Sequence, residues 1–323
     1  MIHVTDFPHG IAAIDSGFGR ERLCAIHLVV ESGRAAIIDT GTNHSVPRVL
    51  SVLAARGIDR VQVDWVILTH IHLDHAGGAG QFMQAFPNAR LTVHPRGTRH
   101  VVDPARLIEG TIAVYGAEKT RSTYGDIVPV PRDRVVETPH GATIDLGGRT
   151  LAFLDTPGHA RHHVSVWDER SRRVFAGDTF GFAYVELDDA DRRYIFLTTS
   201  PTQFDPDAEH RSLDLITGLR PEGIFLTHYA EVRDIARMAD DLHRLTESHR
   251  ALGLRLRDAG PERHARLRDG VTGLILDEAA RYGWRHDRAA LERIFEIDIE
   301  LNAQGLACWL DAMAASPANG AQA

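Results

Sequence analysis

Thr69-His70-Ile71-His72-Leu73-Asp74-His75-Ala76-Gly77-Gly78 follows the apolar run Trp65-Val66-Ile67-Leu68 and places three imidazoles and a carboxylate within six residues. Residues two apart on an extended segment point to the same side, so His70 and His72 can share one ion. Asp74 and His75 follow where the chain leaves the strand and can face a second ion beside the first. Neutral imidazole and carboxylate are donors that borderline divalent metals accept. A His-rich surface loop is the plainer alternative, but this spacing at a strand end favours a two-metal site.

Working outward, other apolar strands also end in chemistry. Ala35 to Ile38 ends in Asp39-Thr40-Gly41, where a carboxylate beside a glycine turn can orient a metal-binding histidine through its far nitrogen. Thr150 to Leu154 leads into Asp155-Thr156-Pro157-Gly158-His159, and Arg173 to Ala176 into Gly177-Asp178-Thr179. Gly223 to Leu226 leads into Thr227-His228-Tyr229. Any one of these alone reads as a structural turn. Together they complete two ligand sets: His70, His72 and His159 for one ion, and Asp74, His75 and His228 for the other. Asp178 can bridge, because a carboxylate has two oxygens.

Whole-chain composition bounds the alternatives. The 323 residues suffice for a large core. A net charge of -8, with arginines interspersed among acids, argues against a nucleic-acid partner. The two cysteines, Cys24 and Cys308, have no ligand-like spacing and fit a reducing compartment. No basic-then-apolar leader and no apolar run of about 20 residues is visible, so a cytoplasmic protein without a membrane partner is expected.

The remaining segments are read by pattern. Val46 to Arg56 and Asp207 to Leu219 have helical periodicity, and Tyr194 to Thr198 reads as a strand. The glycines at 77, 78 and 80 lack the spacing of a dinucleotide fingerprint. Residues 97–135 are irregular, partly helical up to Tyr115 and turn-rich from Gly116, as suits a pocket wall or lid. His94 and His100 read as surface or core histidines. Ser200 lacks the Gly-x-Ser-x-Gly elbow of a serine nucleophile. From about 231 the pattern turns helical, with one helix expected over 288–314. Such a tail can wall a pocket or form a homodimer contact, and the sequence leaves both open. Residues 316–323 are expected to be disordered.

The constellation resembles the metallo-β-lactamase superfamily, whose hallmark is His-x-His-x-Asp-His followed by later His, Asp and His ligands. Five motifs occur in order over about residues 1–230: Asp39; His70, His72, Asp74 and His75; His159; Asp178; His228. The resemblance implies an α/β fold, a four-layer αβ/βα sandwich with the site at the edge of two sheets. That makes 1–230 a catalytic domain and 231–323 a C-terminal helical extension. His163 matches a position that is structural in the family.

The same resemblance implies a dinuclear hydrolase using a hydroxide held between two divalent ions on a small ester, thioester or lactone. Zinc is the first expectation, and iron and manganese suit the same donors. Asp74 and Asp178 are the expected catalytic carboxylates, with Tyr184 and Tyr229 as candidate donors to a developing oxyanion. The acidic rather than cysteine ligand at 178 is similar to the glyoxalase II, lactonase and thioesterase branch. Phosphodiester hydrolysis, a regulatory metal-binding role and iron-based redox chemistry are the alternatives.

Overall fold

Alternation along the strands builds the architecture. The computed structural model describes residues 2–189, 192–199 and 201–315; Ser200 and the 316–323 tail lie outside the described residues. A first sheet runs in chain order: β1 (Val4–Phe7), β2 (Ile11–Asp15), β3 (Ala25–Glu31), β4 (Arg34–Ile38), β5 (Val63–Ile67), β6 (Arg90–Val93) and β7 (Val135–Glu137). It is antiparallel from β1 to β4 and parallel from β4 to β7. The second sheet comprises β8 (Thr143–Leu146), β9 (Arg149–Asp155), β10 (Val164–Asp168), β11 (Arg173–Gly177), β12 (Gly223–Leu226) and β13 (Ala230–Val232). Only its β11–β12 pair is parallel.

Period-two side-chain alternation gives each sheet two buried faces. In β4, Ala36 and Ile38 join Val29, Ile67, Phe153, Val166, Phe175 and Phe225 in the core between the sheets. Ala35 and Ile37 face the other way. There they pack with Val49 and Leu53 of α1 (Val46–Ala55) and with Phe82 and Met83 of α3 (Ala79–Ala85), which follows a one-turn helix α2 (Leu73–Ala76). In β11 and β12, Phe175 and Phe225 point inward, while Val174, Ala176, Ile224 and Leu226 point to an outer helical layer. Helices therefore cover both outer faces, giving the four-layer αβ/βα sandwich.

Between β6 and β7 run α4 (Thr98–Val102), α5 (Ala105–Tyr115) and α6 (Ala117–Tyr124). The turn-rich reading of 116–124 is thus corrected to a helix; Gly116, at φ 82°, is a break between two helices rather than the start of a loop. The outer layer of the second sheet is α7 (Pro206–Gly218), α8 (Ile235–Leu256), α9 (Arg263–Tyr282), α10 (Arg288–Ile294) and α11 (Glu296–Ala315). The single helix expected over 288–314 is two. Its break is Phe295, fully buried in an aromatic cluster with Phe182, Tyr184, Phe196 and Trp284. Tyr194 to Thr198 is not a strand either. It makes one isolated bridge, Phe196 to Phe182, because its other neighbours are helices that offer no ladder. Among the described residues no helix is long and apolar enough to cross a membrane.

The tail shares its core with the sheet. Leu242, Leu245, Leu267, Val271, Leu291, Phe295 and Leu306 belong to the same apolar cluster as Val174 and Leu226. Polar clamps add direction. Thr199 N–H donates to Asn302 Oδ1 at 2.7 Å, its hydroxyl to Asn302 O at 3.0 Å, and Asn302 Nδ2 to Leu197 O at 3.2 Å.

Two buried histidines away from the strand ends make the fold acid-sensitive. His27, between Phe175 and Phe225, and His249 on α8 each leave Nε2 without a hydrogen-bond partner among the described residues. Burial lowers both from 6.5 to about 4. Their folded values lie below the unfolded one, so between these limits the unfolded chain binds more protons. The stabilisation is complete above pH 6.5 and is lost as pH falls to about 4. Thermal unfolding followed from pH 7 to 4 should show stability falling by a few kcal/mol across that window. His27→Leu and His249→Leu should each flatten the slope.

Candidate metal centre

The strand ends converge where the two sheets meet. Asp39, directly after β4, is 1% exposed and has a left-handed backbone at φ 59°. Its Oδ1 accepts the Thr69 N–H at 2.9 Å, and its carboxylate also accepts the Thr69 hydroxyl at 2.9 Å. Oδ2 accepts the Thr227 hydroxyl and His75 Nδ1–H, both at 2.9 Å. The Thr69 hydroxyl in turn takes His70 Nδ1–H at 3.1 Å. One carboxylate thereby fixes the tautomer of His75 directly and of His70 through one hydroxyl, leaving each Nε2 bare. His228 is set the same way, donating Nδ1–H to Leu23 O at 2.7 Å.

Small residues let the segments approach. A Cβ on Gly78 would stand 2.9 Å from both Thr40 O and Thr42 O, so only glycine lets α3 begin against the β4 turn. Gly177, at φ 51°, passes so close that a Cβ would lie 2.5 Å from His163 Nε2. That nitrogen accepts the Asp178 N–H at 3.2 Å, and His163 Nδ1 faces the Thr156 hydroxyl at 2.9 Å. His163 therefore positions Asp178 through its backbone.

The seven candidate ligands form two groups. His70 Nε2 lies 2.9 Å from His72 Nδ1, which lies 3.0 Å from His159 Nε2, and Asp178 Oδ2 faces His159 Nε2 at 3.5 Å. In the second group, Asp74 Oδ2 lies 3.4 Å from both His75 Nε2 and His228 Nε2. Asp178 spans them: Oδ1 is 3.3 Å from His75 Nε2 and 3.7 Å from His228 Nε2. His75 Nε2 and Asp178 Oδ1 are buried with no hydrogen-bond partner among the described residues. Buried polar atoms aimed at one point and lacking partners are what a cation would satisfy. The donor set fits a pair of divalent ions.

Electrostatics at His70 and His72 agree with that fit. Burial, then the neighbouring imidazoles, hold His70 far below the usual histidine range. Burial and His159 bring His72 to about 3. Both rings are neutral and able to ligate. Burial alone would raise Asp74 and Asp178, but charge on His75 and His228, which these carboxylates push up despite burial, outweighs it and holds both carboxyls well down; a bound cation would replace those imidazole protons.

The tyrosines singled out from sequence take different places. Tyr184 is buried beside Arg20, whose guanidinium carbon is 4.5 Å from the ring centroid. Its hydroxyl donates to Asp298 of α11, at 3.0 and 3.1 Å. Burial raises Asp298 to about 6, against the pull of Tyr184, His228 and Arg20. Tyr229 packs against Ala13, Ala25 and Ala230, and its buried hydroxyl has no partner among the described residues. His94 is buried, with Nε2 3.2 Å from Asp155 Oδ1, and His100 meets Arg99.

Sequence reasoning passed over Tyr115 and Tyr124. Burial, then the Asp74 carboxylate, raises both hydroxyls, Tyr115 to about 12. Tyr124 stacks on Phe18 at 6.0 Å, and Asn43 and His44 tie α6 to the β4 turn through Asp126 O and Ser122 O. No local motif marks these tyrosines, since only the fold brings α6 to Asp74. Asp298, more than two hundred residues from the histidine cluster, was equally hidden.

Asp39→Asn retains volume but replaces an acceptor oxygen with a donor. It should weaken metal binding by about 10–100-fold, read by chelator competition, while Asp39→Ala should also lower Tm.

Comparison with known proteins identifies the family. Residues 19–229 match the family model of the metallo-beta-lactamase superfamily. A metallo-beta-lactamase fold-containing protein of Sulfurisphaera tokodaii is 28% identical over 171 residues, covering 52% of this chain and 60% of that protein. A hydroxyacylglutathione hydrolase of Acidiphilium cryptum is 28% identical over 75% of this chain and 80% of its own length. For a Synechococcus hydroxyacylglutathione hydrolase, at 28% identity, the match covers 46% of this chain and only 45% of the relative. Among solved structures, an archaeal superfamily protein from Sulfolobus tokodaii aligns with a TM-score of 0.64 at 21% identity, covering 92% of this chain and 98% of that one. A family protein from Thermus thermophilus aligns at 0.63 and 21% identity, over 95% and 94%. The chain belongs to the metallo-beta-lactamase superfamily.

Proposed function

We propose that the protein is a dinuclear metal-dependent hydrolase of a small ester, thioester or lactone. The observation that carries the reading is Asp178, whose two oxygens face two separate donor groups. His70, His72, His159 and Asp178 Oδ2 would hold one cation; Asp74, His75, His228 and Asp178 Oδ1 the other. Bound there, divalent cations supply a water of lowered pKa and polarise the scissile carbonyl. Zinc is our first assignment, with iron and manganese suited to the same donors.

The chain's own groups do the positioning. Asp39 and Leu23 O keep His75 and His228 turned toward the site. Asp74, with its side chain 22% exposed, keeps access to solvent. Its Oδ2 faces the two imidazoles, which leaves Oδ1 to take a proton and pass it to the leaving group. Tyr184, held by Asp298, and the tyrosines of the α5–α6 hairpin line approaches to the carboxylates, and we assign substrate orientation to them rather than proton transfer. We read residues 1–230 as the catalytic unit and the tail from 231 as its wall on the Tyr184 side.

Support for an ester-type substrate comes from the hydroxyacylglutathione hydrolases among the relatives, whose name denotes a thioester-cleaving activity. Two unpaired cysteines, Cys24 buried and Cys308 half-buried, suit a cytoplasmic small-molecule enzyme.

Elemental analysis of purified protein should find about two ions per chain, from the two donor groups. A panel of acyl thioesters, lactones and a bis-nitrophenyl phosphate should show turnover of the first two classes. Asp178→Asn should lose metal and fall to the uncatalysed rate. A metal-loaded protein inert toward the panel would refute the hydrolase reading.

A further inference from the structure

A second histidine cluster lies on the outer face, between α7 and α8. His210 and Asp214 are one turn apart on α7, and His243 and Glu247 one turn apart on α8, so each pair shares a helix face. The contacts cross between the helices. His210 Nε2 lies 2.7 Å from Glu247 Oε1, and His243 Nε2 lies 3.3 Å from Asp214 Oδ1. The two rings are nearly parallel, at 9°, with their Nδ1 atoms 2.6 Å apart.

Tautomer chemistry makes this arrangement informative. An ionised carboxylate only accepts, so each Nε2 facing one must carry the hydrogen. A neutral ring protonated at Nε2 has a bare lone pair at Nδ1. Two such lone pairs then face each other at 2.6 Å, which is repulsive unless positive charge sits between them. Carboxylates holding the outer nitrogens while the inner ones converge is the arrangement that surrounds metal-bound histidines.

We propose that His210 and His243 bind a third divalent cation of the imidazole-preferring class, zinc, nickel or copper, through Nδ1, with Glu247 and Asp214 orienting the rings. The nitrogens of one tetrahedral zinc are about 3.3 Å apart, given bonds of about 2.0 Å. The rings would thus open slightly on binding. Within the centre described above, His70 and His72 are crowded in the same way, at 2.9 Å. With side chains 24% and 30% exposed, water can complete the coordination. Local charge favours a cation. Asp214 and Glu247 face the two rings, and Arg250 contacts Asp207 and Glu247.

The site has mechanical meaning because α7 supports a ligand of the catalytic pair. Asp205 N–H, at the start of α7, donates to Gly158 O at 2.9 Å, and the Ser212 hydroxyl donates to Pro157 O. A cation joining α7 to α8 would brace the turn that carries His159.

Equilibrium dialysis against submillimolar zinc, with elemental analysis, tests this by difference. Wild-type full-length protein should hold one zinc more than the His210→Ala/His243→Ala double variant, whatever the occupancy of the catalytic centre. Glu247→Gln should weaken that extra zinc by about 10–100-fold. Excess zinc should raise Tm further in the wild type than in the double variant, which keeps the catalytic centre. Equal zinc in both proteins would overturn the proposal. So would an imidazole N–H shared between the two rings, seen by nitrogen-15 NMR, that persists in excess zinc.

Discussion

The structure turns on one buried carboxylate. Asp39 is enclosed where β4 meets the ends of β5 and β12, and a buried charge is tolerable only when its hydrogen bonds are met. Four donors meet it: a backbone N–H, two hydroxyls and an imidazole. Two of the residues involved, Thr69 and Thr227, immediately precede His70 and His228, and a third, His75, is itself a candidate ligand. The Asp39 contacts that join the two sheets are therefore the same contacts that aim three ligands. Site geometry follows from strand registry, which the inter-sheet core of Phe153, Phe175 and Phe225 makes rigid.

Much of this was legible in sequence, for a definite reason. Each candidate ligand segment lies a few residues beyond a short apolar strand, and strands of this kind are strongly specified by burial on both faces. His70, His72, Asp74 and His75 are local enough to be read as a unit. The bridging role proposed for Asp178 also comes from counting donors. The family resemblance supplied the layers, and the two matched core faces of β4 and β11 give them their physical basis.

What escaped the sequence was tertiary in origin. Tyr194 to Thr198 has a strand's composition, but a strand needs a ladder partner, and among the described residues Phe182 alone supplies one. The break at Phe295 follows no glycine or proline; it occurs because an aromatic cluster claims the side chain. Tyr124 and Asp298 approach candidate ligands of the centre from segments whose own patterns are those of ordinary surface or core helices. Their closeness to Asp74 and His228 depends on how α6 and α11 dock, which no local spacing records.

The clamp formed by Asn302 has an evolutionary side. By meeting both polar groups of Thr199 and the carbonyl of Leu197, it sets α11 in one register against the loop that follows β11. Asp298, one turn earlier on the same helix, is delivered to Tyr184 by that register. A descendant protein with altered specificity could not easily slide or tilt this helix, because doing so would strand buried polar atoms. Diversification at this wall would proceed by exchanging individual side chains on a fixed scaffold, with position 298 among the first available.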